Sequence, residues 1–270
     1  MPADDLRRGL ASLGWVEGRD FRMEVRVTGG ALAPLDSHAR ELVALGVEVV
    51  AASATPAIIA ARKATATVPI VMMSAGDAAG LRLVDSIARP GGNITGLSLM
   101  IVELAGKMVE LLLEAAPAGR HVGCLVHEAD PLHRPFMAEA ARAAGSLGLR
   151  FTPAVVKDKD DIEPAFDAMA RAGVTSAVVQ PILVLVAQDA GRIAALAHRH
   201  RIAAGGVWRR FAADGGLIAY GAEFDDVGAR AARFVDLILR GANPAELPVE
   251  RPTEFTLALN LRTAGAIGLL

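Results

Sequence analysis

Residues 47–77, VEVVAASATPAIIAARKATATVPIVMMSAGD, hold two apolar runs on either side of a helical stretch. VEVVAAS and VPIVMMS are apolar almost throughout instead of alternating. That predicts strands covered on both faces, and therefore a parallel sheet. TPAIIAARKAT reads as the crossover helix, with Thr55 at its cap and Pro56 in the first turn, where a missing N–H costs nothing.

The same alternation of helix and strand runs outward in both directions. Upstream, Leu6, Leu10 and Leu13 recur at helical spacing, Gly14 stops the helix, and Phe21, Met23, Val25 and Val27 alternate as a strand should. A helix follows with Leu35, Ala39, Leu42 and Val43 on one face. Downstream, a helix through Leu81, Val84 and Ile87 leads by the turn RPGGN to the strand ITGLSLM. The helix ELAGKMVELLLEAAP carries Leu104, Met108, Leu111 and Leu112 on one stripe and ends at Pro117. A second series begins there, with strands HVGCLVH, RFTPAVV, TSAVVQP, AAGGVW and GLIAYGA. Helices through Phe136 and Ala140, Ile162 and Phe166, and Ile193 and Leu196 separate them. FDDVGARAARFVDLILRGANP is the last long helix, ending at Gly241, and TEFTLALNL closes the chain as an edge strand. The pattern predicts two α/β lobes, each a doubly wound parallel sheet, with no low-complexity spacer between them.

Length and composition agree with that architecture. A chain of 270 residues is above the size where a single core usually divides. Its 53% hydrophobic content against 4% aromatic is that of helices packed on a β-branched sheet. With 28 basic and 30 acidic side chains the formal charge is -2, so there is no electrostatic footprint for nucleic acid and no pull toward an anionic membrane surface. The single cysteine, Cys124, excludes an internal disulfide, and its strand context HVGCLVH makes it a buried residue. No run reaches the ~18 apolar residues of a membrane span, so no direct membrane insertion is expected. The N-terminus lacks the basic-then-apolar order of a secretion signal, and read alone the chain is predicted to be soluble and cytoplasmic.

Two lobes without a floppy tether predict a hinge and a ligand held in the cleft between them. In open parallel sheets ligands bind beyond the carboxyl ends of the strands. Those ends read SATP (53–56), SAGD (74–77), HEAD (127–130), QPIL (180–183), GVWRR (206–210) and YGAEF (220–224). Hydroxyls and helix-start amides dominate in the first lobe, which suits a carboxylate. Trp208, Arg210 and Tyr220 in the second offer a wall for an apolar or aromatic group and one cation.

The common catalytic constellations are missing. There is no GxGxxG after a strand and no GxxxxGK[ST], and AGSLG at 144–148 is a helix stop and not a nucleophile elbow. His121, His127 and His133 lie six apart, and His198 and His200 two apart, spacings that put no ligand set on one helix face. No metal and no cofactor is expected. Asp77 and Asp130 could work as an acid–base pair, but each also stands where a carboxylate caps a helix start.

The chain resembles the ABC-transporter substrate-binding protein family that includes the tryptophan/tyrosine-binding periplasmic proteins. The resemblance is carried by GLASLGWVEGRDFRMEVR (9–26), ELVALGVEVVAASATPAIIAARKATATVPIVMMSAGD (41–77), LVDSIARPGGNITGLSL (83–99), ELAGKMVELLLEAAP (103–117), RIAALAHRHRI (192–202), FAADGGLIAYG (211–221) and LILRGANPAELPVERPTEFTLALNLRTAGAIGL (237–269). It implies a type I periplasmic-binding fold whose chain crosses between lobes near Ser98–Met100, Tyr220–Glu223 and Pro248–Pro252. Lobe one would be residues 1–98 with 222–248, and lobe two 99–221 with 249–270. It also implies capture of a small solute outside the cytoplasmic membrane for an ABC permease and its ATPase, with no enzymatic activity. The cleft would be lined by Ser53, Ala54, Thr55, Ser74 and Asp77 from lobe one, facing Glu128, Asp130, Gln180, Trp208 and Tyr220 from lobe two. Family members carry a signal segment and a first strand upstream of what matches Leu6, so the first strand of lobe one is expected to be absent here. The alternative is that FRMEVRV moves over to pair with VEVVAAS. The apolar QPILVLV at 180–186 and the scarcity of planar polar groups predict an apolar or aromatic carboxylate, an amino acid included, over a sugar. A cytoplasmic ligand-sensing domain of the same fold is the competing reading.

Overall fold

The computed structural model describes residues 2–182, 190–222 and 226–269. The chain forms two compact units, Met1–Met100 with Glu223–Pro252 and Ile101–Ala222 with Thr253–Leu270. The apolar run at 183–186 and the crossing at 223 lie outside the described residues.

The first unit holds helices α1 (Pro2–Ser12), α2 (Leu35–Ala44), α3 (Thr55–Ala64) and α9 (Val227–Leu239). Its strands β1 (Val50–Ala52), β2 (Ile70–Ala75) and β3 (Ile94–Ser98) form a parallel sheet in that order, with Val50 opposite Ile70 and Ile70 opposite Ile94. Successive side chains of a strand point to opposite faces, and β2 divides accordingly. Ile70 and Met72 pack with Ile58 and Ala61 of α3. Val71 and Met73 pack with Leu6, Leu10, Ala231 and Val235 of α1 and α9. The sheet is covered on both faces, as its apolar strands predict.

Helices α1 and α9 approach closely because each presents a glycine. A Cβ on Gly9 would lie 2.7 Å from the Cβ of Ala232, and one on Gly228 would lie 2.3 Å from the Cβ of Asp5. Trp15 fastens the following turn by donating its indole N–H to Asp236 at 2.8 Å, with the Arg240 guanidinium 5.6 Å from its ring centroid.

Two elements differ from the sequence reading. Phe21–Val27 forms no strand: apart from the isolated bridge between Glu17 and Phe21 it has no ladder partner among the described residues. It does not pair with β1. Alternation fixes which side chains face the core, and Phe21 and Met23 do pack on the α1/α9 side, but it does not supply a neighbouring strand. Residues 78–88 form turns, not the helix expected through Leu81, Val84 and Ile87. The Ser86 hydroxyl both donates to the Arg89 carbonyl and accepts from its N–H, and Asp85 N–H donates to Pro90. These local bonds compete with a helix ladder. Leu83 and Val84 still bury their side chains.

The second unit holds α4 (Ile101–Ala115), β4 (His121–His127), α5 (His133–Ser146), β5 (Arg150–Val156), α6 (Ile162–Arg171), β6 (Ser176–Val179), α7 (Ala190–Arg199), β7 (Ala203–Gly206), α8 (Arg209–Ala213), β8 (Ile218–Ala222), β9 (Phe255–Leu259) and α10 (Leu261–Ala266). Its sheet runs β5-β4-β6-β7-β8-β9, parallel except for the antiparallel edge strand β9. Phe166, Met169, Ile193 and Phe211 cover one face. On the other, Met108 and Leu112 of α4 lie against Gly205, where a Cβ would meet the Met108 sulfur at 2.3 Å. Cys124 is buried in β4, and burial pushes its thiol far above the usual range. A Cys124 nucleophile is therefore excluded.

Replacing Gly228 with Val forces the α1/α9 contact apart. Overpacking of this kind costs about 1–3 kcal/mol, so the urea midpoint should fall by that equivalent. An unchanged midpoint would show that α1 does not depend on this approach.

Candidate functional site

In the first unit the polar side chains collect where the strands end. Ser53 follows β1, Ser74 is the last residue but one of β2, and Ser98 closes β3. The Ser53 and Ser74 hydroxyls are 3.1 Å apart, and the Ala54 N–H donates to Ser74 Oγ at 2.8 Å. Thr55 is buried, and its hydroxyl accepts from Gly76 N–H at 2.9 Å. It does not cap α3. The N-cap is Ala54, with no side-chain cap bond, and Pro56 sits in the first turn. Ser98 Oγ accepts from Ala78 N–H at 3.1 Å, and Asp77 accepts from Gly80 N–H at 2.8 Å in a turn, with no helix following for it to cap. Ser53, Ala54 and Ser74 are thus in direct contact, with Thr55 joined to Gly76, which lies between the end of β2 and Asp77.

Ala54 adopts φ 71° and ψ 145°, a conformation that favours glycine. The strain turns the chain sharply from β1 into α3 and aims the Ala54 amide at Ser74.

In the second unit the carboxyl ends of β4 and β6 are tied together. Gln180 is completely buried, and its Oε1 accepts from the His127 N–H at 2.8 Å. Its Nε2 donates to Asp130 Oδ2 at 2.9 Å, while Asp130 Oδ1 accepts from Leu132 N–H at 2.9 Å. Asp130 is 5% exposed. Burial raises its pKa, against the opposing pull of the Leu132 N–H and the nearby His133. Burial likewise lowers the pKa of His127, whose Nδ1 accepts from Ala129 N–H at 3.2 Å.

The remaining expected residues stand apart from that pair. Glu128 is exposed, with Lys157 Nζ 3.9 Å away. Trp208 is half-buried and extended just before the short helix α8. Tyr220 lies inside β8 and stacks on Phe255 of β9, centroids 5.8 Å apart. Arg210 is held by Asp214 at 3.1 Å. Among the described residues no hydrogen bond joins Glu128, Trp208 or Tyr220 to Asp130 or Gln180. Three partners escaped the sequence reading. Ser98 shares the strand-end hydroxyl signal of Ser53 and Ser74 and could have been found by it. Phe255 and Lys157 carry no such signal.

The chain matches the family model for the ABC transporter substrate binding protein over residues 3–270. It belongs to that family. Among curated proteins it is 20% identical over 262 residues to the tyrosine-binding protein of Clostridioides difficile strain R20291, covering 97% of this chain and 75% of the relative. Among solved structures it is similar to an ABC domain from Streptococcus pneumonia in complex with L-Trp, at TM-score 0.88 and 23% identity, covering 99% of this chain and 89% of the other. A conserved domain protein from Vibrio cholerae O1 biovar eltor aligns at TM-score 0.90 and 24% identity, covering 100% and 91%. These likenesses show the fold, which is that of type I periplasmic binding proteins. Members of the family are extracytoplasmic proteins that bind small molecules; they are not enzymes, and they work with a permease and its ATPase. Among the described residues no helix is long and apolar enough to cross a membrane, and no group of three or more His, Cys, Asp or Glu side chains could hold a metal.

The strain at Ala54 makes a further expectation. A non-glycine residue in this region costs about 1–3 kcal/mol, more than the ~0.4–1 kcal/mol that added freedom of the unfolded chain costs a glycine. Ala54→Gly should therefore raise the melting temperature. A lower one would mean that the turn is not strained.

Proposed function

We propose that this family member is the solute receptor of an ABC uptake system and that its solute is a small apolar or aromatic carboxylate, an aromatic amino acid being the leading case. The solute would touch Ser53, Ala54, Thr55, Ser74 and Asp77 of the first unit and Glu128, Asp130, Trp208 and Tyr220 of the second. The observation that carries the reading is the hydroxyl rim of the first unit. Ser53 stands just before α3 and Ser74 of β2 holds the amide of its N-cap residue Ala54, where the positive end of the helix dipole favours an anion. The half-buried Trp208 offers an apolar plane in a chain with few aromatic residues. The tyrosine-binding relative and the L-Trp-bound structural neighbour support the same class of solute. Transport energy would come from the partner ATPase, with delivery to the permease after capture.

A thermal-melt panel of the purified chain with L-tryptophan, L-tyrosine, their keto acids, sugars and nucleosides tests this directly. A solute at about 100 times its Kd stabilises by ~2.7 kcal/mol, which raises the melting temperature by several degrees. A response confined to sugars or nucleosides would overturn the carboxylate class. With a responding solute, Trp208→Ala should weaken binding by more than tenfold, about 1.4 kcal/mol. An unchanged affinity would remove Trp208 from the site.

A further inference from the structure

We propose that Gln180 is a positioning residue, which acts on the solute through Asp130 instead of touching it. The inference rests on the reading above in one respect, that Asp130 meets the solute. The orientation of Gln180 is not arbitrary. His127 N–H is a backbone donor, so the carboxamide atom facing it is the oxygen. The NH2 must then face Asp130, whose Oδ2 must accept. With Leu132 N–H on Oδ1, both carboxylate oxygens receive a proton-bearing neighbour from inside the protein. An ionised Asp130 satisfies all three bonds at once. A proton on Oδ2 would have to take the lone pair that Gln180 leaves, and the amide cannot turn over without placing its NH2 against His127 N–H. Gln180 therefore fixes the aim of the carboxylate, favours its ionised form by donating to it, and leaves its other lone pairs for a solute.

The burial of both side chains explains why the device is needed. Burial alone favours the neutral acid, and the raised pKa of Asp130 shows that pull. The charged and titratable groups around the carboxylate are limited. His133 acts on it from the first turn of α5 and bonds by Nδ1 to the Asp130 carbonyl at 2.7 Å. His127, on the strand below, has Glu128 and Asp158 among its own charged neighbours, and Lys157 faces Glu128. From β6 the group that meets Asp130 is the neutral Gln180. No Lys or Arg among the described residues forms an ion pair with Asp130, so hydrogen bonds supply its stabilisation there.

The test is a double-variant cycle with two readouts. Asp130→Asn, Gln180→Met and the double variant are titrated with L-tryptophan by calorimetry. The Asp130 carboxyl is followed against pH by carbon NMR in the solute-free wild type and in Gln180→Met. If Gln180 acts through Asp130, each single variant weakens binding by about tenfold or more, and Gln180→Met adds no further loss once Asp130 is Asn. The Asp130 carboxyl should titrate higher in Gln180→Met, by about one pH unit, because a donor to its ionised form is gone. Additive losses would mean that Gln180 touches the solute itself, and an unmoved Asp130 titration would mean that it does not hold the charge. Either result overturns the proposal. Should Gln180→Met fail to fold, Gln180→Glu keeps the shape and sets two carboxyl groups on one proton. Asp130 must then titrate in two steps, and a single unchanged step would refute the coupling. Failure of the wild type to bind tryptophan would count against the solute reading, while the titration alone would then decide the coupling.

Discussion

Two sheets whose inner strands are buried on both faces set the terms for the polar groups at their ends. Inside β2, β3, β4 and β6 the side chains are apolar or small and the backbone groups are spent on parallel ladders. Polar side chains can enter at the strand ends, where the ladder stops and the chain turns toward a helix with amides left over. The rim groups take up those amides first. Ser74 accepts from Ala54, Thr55 from Gly76, Ser98 from Ala78, Asp130 from Leu132 and Gln180 from His127. Capping and ligand contact are therefore not rival roles for these residues. An acceptor held by one backbone N–H is already oriented, and a hydroxyl or carboxylate so held still has a lone pair or a proton to offer. On the proposed reading, a solute would meet groups whose rotamers are already fixed by folding, which would reduce the ordering cost of binding.

The fold was legible wherever the sequence carried both halves of a signal. HVGCLVH and RFTPAVV are strands over the residues quoted, because a continuous apolar or β-branched run is bounded by turn residues on both sides. FRMEVRV carried the alternation but not the partner, and pairing is a tertiary fact. LRLVDSI carried apolar spacing, yet Ser86 and Asp85 diverted the backbone bonds a helix would need. The same division holds at the site. Ser53 and Ser74 could be named because a hydroxyl after an apolar strand has few other reasons to be there. Gln180 could be placed at a strand end but not assigned its role, since that depends on His127, 53 residues away, and on Asp130, 50 away. Tyr220 was legible as an aromatic, whereas its stacking on Phe255 follows from the return of the last strand beside β8.

Places where a chain breaks its own local rules mark where selection has acted on something other than stability. Two such places lie on the rims. Ala54 holds a backbone conformation that a glycine would adopt without strain, and Asp130 holds a carboxylate where burial disfavours charge. Neither helps its sheet to form. β1 would enter α3 as well through a relaxed turn, and an asparagine at 130 would bury at lower cost. What each does is fix one polar group, the Ala54 amide against Ser74 and the Asp130 carboxylate against Gln180. In the first unit the fixed group is neutral and rests on backbone strain. In the second it is titratable and rests on a buried hydrogen-bond pair. The first depends on geometry alone and should be indifferent to pH, whereas the second loses an acceptor whenever Asp130 takes a proton. The two fixed groups therefore answer differently to the medium.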